Sequence, residues 1–267
     1  MSYVTNALNR FQLSNANNTR TPLPSNVHLE AFTGTSTDEA RTEYQQMIGT
    51  LLYAALGTRP DIAYAVTRLS RYMANPSKDH LHYAKYVFKY LVGTKELRLR
   101  YDGLSQAGLI GFSDSDWGEN KDDRHSTSGN IFMMANCAIT WMCRHQKVVV
   151  TSVGEAEYME LSDTAKQCAW LRSFAHEIKF SPTKGTPLCA DNQAAIFIAT
   201  NKAIDRRTKH IDIRYHFVRE ELEKEKIELF HIAGAENPTD LFTKPLPHTL
   251  ILKFRDFIGL VEYKDLD

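Results

Sequence analysis

The chain reads as an α/β protein: a small helical segment, then a strand meander that runs into strand–helix alternation. Three observations support this. Apolar residues recur at helical spacing between residues 40 and 94. From residue 97 the period drops to two over short runs. Beyond residue 154 a long helical stretch gives way to alternating short apolar runs and amphipathic ones, the pattern of an α/β layer.

Residues 1–35 carry Asn-Ala-Asn-Asn, Thr-Pro-Leu-Pro and Thr-Gly-Thr, which is loop chemistry, and are expected to be loosely ordered. Residues 36–96 form the helical segment. Tyr44 to Leu56 is amphipathic and stops at Gly57. Pro60 opens a second helix through about Met73, with Ile62, Val66 and Leu69 on one face. Ser77 caps a third, which places Leu81, Ala84, Phe88 and Leu91 in register and ends near Gly93. On it Tyr83, Lys85, Tyr86, Lys89 and Tyr90 interleave rings with ammonium groups, either a platform for nucleic acid or a plain solvated face.

Residues 97–247 form the α/β domain. Leu97–Tyr101, Leu109–Asp114, Ser128–Met134 and Ala138–Cys143 read as strands, three of them in succession as an antiparallel meander. A helix over 154–179, a strand over 188–190, a helix from Asn192, a helix over 212–224 and a strand over 227–231 follow. Asn237-Pro238 starts a further helical turn, Asn as cap and Pro at the first position. Residues 248–267 are set apart as a C-terminal helix and tail.

The totals exclude some classes. A chain of 267 residues buries roughly 70–75% of its extended surface and needs no disulfide or structural metal. Net charge is zero, which argues against a simple polycationic nucleic-acid binder. The charge is uneven: residues 1–100 hold 12 Lys+Arg against 7 Asp+Glu, and residues 101–267 hold 20 against 25. The four cysteines lack zinc-knuckle spacing and suit a reducing compartment. No basic-then-apolar signal opens the chain, and no apolar run nears the roughly 18 residues of a membrane span. An intracellular, cytoplasmic or nuclear protein without membrane contact is expected.

Four carboxylates stand at element ends: Asp114 at the end of a strand, Glu157 in the opening of the long helix, Asp191 at a strand-to-helix junction and Asp240 after the Asn237-Pro238 start. Singly, each is explained as a helix cap or a complement to a helix dipole. Asp116, two residues beyond Asp114, would share its face. Together they suggest more. Unit charges about 4 Å apart repel by around 4 kcal/mol at an effective dielectric of about 20. Converging carboxylates therefore protonate, pair with cations or bind metal. No Arg or Lys lies within three residues of Asp114, Glu157 or Asp191. Oxygen ligands without His or Cys suit magnesium or manganese, and two such ions make a clamp for phosphoryl displacement.

These residues carry a resemblance. Phe112-Ser113-Asp114-Ser115-Asp116-Trp117-Gly118 with Asp123-Arg124-His125-Ser126-Thr127-Ser128-Gly129, Thr151-Ser152-Val153-Gly154-Glu155-Ala156-Glu157-Tyr158-Met159, and Ala190-Asp191-Asn192-Gln193-Ala194-Ala195-Ile196 resemble the first three motifs of copia-type LTR retrotransposon ribonuclease H. Thr208-Lys209-His210-Ile211-Asp212-Ile213-Arg214-Tyr215-His216 and Asp240-Leu241-Phe242-Thr243-Lys244-Pro245-Leu246 complete the set. Upstream, Tyr44 to Tyr53 and Thr58-Arg59-Pro60-Asp61-Ile62-Ala63 resemble the segment joining reverse transcriptase to ribonuclease H, which makes 36–96 a connection or thumb remnant.

The resemblance implies a ribonuclease H-like fold, a five-stranded mixed sheet flanked by helices. It implies a two-metal hydrolase of the RNA strand of RNA–DNA hybrids, with Asp114, Glu157, Asp191 and Asp240 as catalytic acids and ligands of two Mg2+ or Mn2+; Glu155 is the alternative to Glu157. It implies contact of Gln193 with the hybrid minor groove. Lys202, Arg206, Arg207, Lys209, His210 and Arg214 form the densest basic run. They read either as a solvated loop and helix start or as phosphate contacts, and the family similarly places its grip on the DNA strand here.

Two departures stand out. His231 falls at a strand end rather than in the flexible loop that carries a His in cellular ribonucleases H. The polymerase motif Tyr-x-Asp-Asp is absent, so no polymerisation is expected. The expected partners are an RNA–DNA hybrid and the rest of a Pol polyprotein. The alternatives are a non-catalytic nucleic-acid-binding remnant or domesticated module, and a nuclease of the same fold acting on DNA.

Overall fold

The structure, a computed structural model, describes residues 3–105, 107–116, 126–146, 153–180, 184–201 and 209–262, with 209–215 described for their backbone only. The chain divides into two compact units, Met1–Arg100 with Lys244–Asp267, and Tyr101–Thr243.

In the first unit, α1 (Tyr3–Arg10) corrects the expectation of loose order for that part of residues 1–35: Val4, Ala7 and Leu8 are buried, and the helix packs against the helices over Asp38–Gly57 and Lys78–Gly93. Its apolar face is a single short stripe set among asparagines, too brief for periodicity to expose. α2 (Asp38–Gly57) starts well before the apolar run. Thr37 Oγ1 accepts from the Ala40 N–H at 3.2 Å, and Asp38 and Glu39 complement the dipole, so the first turn is fixed by capping. Pro60–Ile62 forms a 3-10 turn, and α3 (Ala63–Ser70) stops short of Met73. α4 (Lys78–Gly93) opens with a capping box in which His80 takes the place of the usual acid. Ser77 Oγ accepts from the His80 N–H at 3.2 Å, and His80 Nδ1 accepts from the Ser77 N–H at 2.9 Å.

Beneath these helices lies a buried ion pair. Arg59 donates to both oxygens of Asp61, at 2.9 and 2.7 Å, and the Tyr90 hydroxyl donates to Asp61 Oδ2 at 2.7 Å. Burial opposes ionisation of Asp61, yet Arg59, joined by the Tyr90 hydroxyl, holds the carboxyl below its ordinary value. Tyr90 is thereby withdrawn from the ring-and-ammonium face read on this helix, and Lys85 pairs with Glu43 at 3.1 Å. β1 (Leu97–Leu99) does not enter the meander. It pairs antiparallel with β7 (Leu260–Glu262), a strand that follows α9 (His248–Phe257) and that local sequence gave no sign of.

In the second unit, β2 (Ile110–Ser115), β3 (Thr127–Met134) and β4 (Cys137–His145) form the expected antiparallel meander. β3 and β4 are joined at Ala135 and Asn136, whose φ values of 52° and 58° give a primed two-residue turn that matches strand twist. β5 (Thr186–Ala190) runs parallel to β2, and β6 (Ile227–His231) parallel to β5, giving the order β4-β3-β2-β5-β6. α5 (Val153–Glu177) packs on β2, β3 and β5; α6 (Gln193–Thr200) and α7 (Lys209–Glu223) pack beside it. α8 (Asp240–Thr243) packs on β3. Phe132, Tyr158, Leu161, Leu188, Val218 and Ile227 are at the centre of the core. This five-stranded mixed sheet with flanking helices is the ribonuclease H-like fold.

Candidate functional site

Three elements bring carboxylates to one end of the sheet. Asp114 sits near the end of β2, a central strand, and is buried. Its neighbour across β3 is Gly129. A Cβ there would lie 2.6 Å from Phe242 Cβ, so the glycine lets α8 rest on the strand. That docking carries Thr243 to Asp114, and its hydroxyl donates to Asp114 Oδ2. Asn237 secures the approach: its Nδ2 donates to the Ser113 carbonyl at 2.9 Å, and its Oδ1 accepts from the Thr239 N–H at 3.2 Å.

Glu157 lies in the opening turns of α5 and is buried; Asp191 follows β5 directly and is half-buried. The cap of α6 is Asn192, whose Oδ1 accepts from the Ala195 N–H at 3.0 Å, so that role does not fall to Asp191. Gly234, after β6, stands close by; a Cβ there would lie 3.1 Å from Asp191 Oδ2. Asp114, Glu157 and Asp191 each offer one oxygen within 4.8 Å of the other two. Three carboxylates at that separation, two of them buried, form an oxygen-only ligand set of the kind that hard divalent cations take.

The other sequence-derived candidates fall elsewhere. Asp240 opens α8, is half-buried and lies outside the 4.8 Å group; the residue of that helix that reaches Asp114 is its last, Thr243. Asp116 is a backbone clasp: it accepts from the Thr127 N–H, and its own N–H donates to the Thr127 carbonyl at 3.0 Å. Glu155 is half-buried and outside the group. Gln193 is exposed at the start of α6, and His231 is exposed at the end of β6. Lys202, Arg206 and Arg207 lie outside the described residues, and Lys209, His210 and Arg214 fall on α7, where only the backbone is described.

Sequence reading missed a buried polar layer behind the acids. Glu160, one turn beyond Glu157, is fully buried between α5 and β3. Its Oε1 accepts from Asn130 Nδ2 at 2.8 Å and from Thr164 Oγ1 at 3.2 Å, while Oε2 has no partner among the described residues. Burial pushes its carboxyl up to about 7, against these hydrogen bonds. Gln146, just past β4, contacts β2, β3 and α5 together. An acid on the apolar stripe of α5 was the one available sign of Glu160; Gln146 carried none.

Comparison with known proteins bears on the family. No family model matches the chain. The retrovirus-related Pol polyprotein of transposon TNT 1-94 from Nicotiana tabacum is 35% identical over 263 residues, 97% of this chain and 20% of that protein. The corresponding polyprotein of transposon RE1 from Arabidopsis thaliana is 34% identical over 258 residues, 97% of this chain and 18% of that protein. The chain belongs to the copia-type retrotransposon Pol family. It spans about a fifth of the length of these relatives. Among solved structures, LC11-RNase H1 in complex with an RNA/DNA hybrid aligns over 51% of this Pol-family chain and 93% of that one, at 11% identity and a TM-score of 0.38. Among the described residues no helix is long and apolar enough to cross a membrane.

Proposed function

We propose that this chain is a divalent-metal-dependent endonuclease that hydrolyses the RNA strand of RNA–DNA hybrids, leaving a 3′-hydroxyl and a 5′-phosphate. The observation that carries this reading is the meeting of Asp114, Glu157 and Asp191, from three separate elements, within 4.8 Å in a ribonuclease H-like domain. Those three residues would hold Mg2+ or Mn2+, with Asp240 approaching from α8. When bound, such a pair of ions activates the attacking water and stabilises the leaving oxygen. The chain's own part is to fix the oxygens. Thr243 orients Asp114, Asn192 leaves Asp191 to the pocket, and Gly234 gives it room. Gln193 would touch the hybrid minor groove, and the basic residues among 202–214 would meet the backbone, giving affinity that falls with salt and does not depend on sequence.

The test is cleavage of an end-labelled hybrid in Mg2+ or Mn2+, compared with duplex DNA, duplex RNA and single-stranded RNA. Activity confined to the hybrid, and lost in Asp191→Asn with unchanged circular dichroism, is the expected result. The place of Asp240 outside the close group favours a second reading, a domain that grips hybrids without cutting them. Tight hybrid binding with no product at any concentration of either ion would select it, and cleavage of duplex DNA would overturn hybrid specificity.

A further inference from the structure

Gln146 is only 4% exposed. Its Nε2 lies 3.1 Å from Ser115 Oγ, 2.7 Å from Ser128 Oγ and 3.2 Å from the Ala156 carbonyl oxygen. A carbonyl only accepts, so the nitrogen end of the amide must face α5. The three contacts are placed with purpose. Ser115 follows Asp114 in β2, Ser128 is its cross-strand partner in β3, and Ala156 immediately precedes Glu157 in α5. The Gln146 N–H donates to the Ser126 carbonyl at 2.8 Å and fixes the base of the side chain. One amide thus joins the strand bearing one acid to the helix turn bearing another. Its Oε1 has no partner among the described residues, so an apolar side chain of the same length would serve packing as well.

We propose that Gln146 is a positioning residue that fixes the separation of Asp114 and Glu157, and with it the affinity of the pocket for divalent cations. This rests on the ribonuclease reading only for its expected effect on cleavage. A displaced support of a ligand changes metal affinity by about 10–100-fold.

The test uses the full chain and Mn2+ alone, titrated by calorimetry into the wild type, Gln146→Met and Asp191→Asn. Gln146→Met keeps length and apolar volume and removes the donor. It is expected to weaken Mn2+ binding at least about tenfold. In hybrid cleavage it should lower kcat at limiting Mn2+, leave KM for the hybrid unchanged, and regain rate in excess Mn2+. Asp191→Asn gives the level for a lost ligand. Should Gln146→Met fail to fold, Ser128→Ala removes one arm of the contact and should weaken binding in the same direction by a smaller factor. Wild-type Mn2+ affinity in the folded variants, or a wild type that binds no Mn2+, overturns the assignment. A wild type that binds Mn2+ but cuts no hybrid sinks the ribonuclease reading alone, and the role of Gln146 is then decided by calorimetry.

Discussion

Glu160 makes stability depend on pH in a direction opposite to most carboxylates. Its carboxyl is raised from 4.5 to about 7, first by burial, with Asn130, Ser128, Thr164 and Arg144 opposing. Below about pH 4.5 both folded and unfolded chains hold the proton, and the residue costs nothing. Between 4.5 and about 7 the unfolded chain ionises while the folded one keeps its proton, so native stability falls as pH rises. Above 7 the loss is complete and constant. At about 1.4 kcal/mol per pH unit the shift corresponds to roughly 3 kcal/mol. Glu160→Gln keeps the acceptor for Asn130 and Thr164, places an amide where Oε2 has no partner among the described residues, and cannot ionise. The assay is urea unfolding from pH 4 to 8.5, followed by tryptophan fluorescence. All three tryptophans, Trp117, Trp141 and Trp170, fall within residues 101–243, so the signal follows the second unit. The variant should match the wild type near pH 4 and exceed it by roughly 3 kcal/mol at pH 8. A stability difference that does not change with pH would refute the reasoning.

Further perturbations test the surrounding structure. Gly234→Ala places a methyl 3.1 Å from Asp191 Oδ2 and should weaken Mn2+ binding about tenfold with little change in urea midpoint. Gly129→Ala drives its Cβ to 2.6 Å from Phe242 Cβ, which should cost about 1–3 kcal/mol in urea unfolding and reduce cleavage by shifting Thr243 off Asp114. Asp61→Ala leaves Arg59 buried without its partner and should destabilise the first unit by about 3–5 kcal/mol, read by faster limited proteolysis within residues 1–100 while tryptophan fluorescence holds. Burial raises the thiols of Cys168 and Cys189 to about 11, so at pH 8 iodoacetamide should reach half-buried Cys143 first and modify those two only when urea is added.

What the sequence revealed divides by the range of the interactions involved. Ser77 announces α4 because a capping box closes within four residues, and the meander shows itself because alternation and the turn after Met134 are local. The acids Asp114 and Asp191 were legible because a strand end beside a chain reversal is readable from apolar runs. β1 was assigned to the α/β domain because its partner, Leu260–Glu262, lies far along the chain and nothing in Leu97–Leu99 names it. The distance from Asp240 to the other acids depends on how α8 docks over Gly129, a matter of one missing Cβ that no periodicity contains. Gln146 reaches Ser115, Ser128 and Ala156 across 31, 18 and 10 residues, and each looks like an ordinary surface residue in isolation.

The character of the hidden residues follows from the chemistry of a cation pocket. A lysine or arginine set against Asp114 would orient it but also cancel the charge that a divalent ion needs. A hydroxyl or amide orients a carboxylate or its backbone without doing so, and the braces here are Thr243, Asn237 and Gln146. They also come from opposite sides of the sheet. Side chains alternate along a strand, so Asp114 and Gly129 share the face on which α8 rests, while Ser115 and Ser128 share the face toward α5. Thr243 therefore acts on the ligand oxygen itself, and Gln146 on the spacing between the elements that carry the ligands. Neutral donors at long sequence separation leave no charge pattern behind, which is why a chain of zero net charge can hold an anionic pocket whose supports its composition does not show.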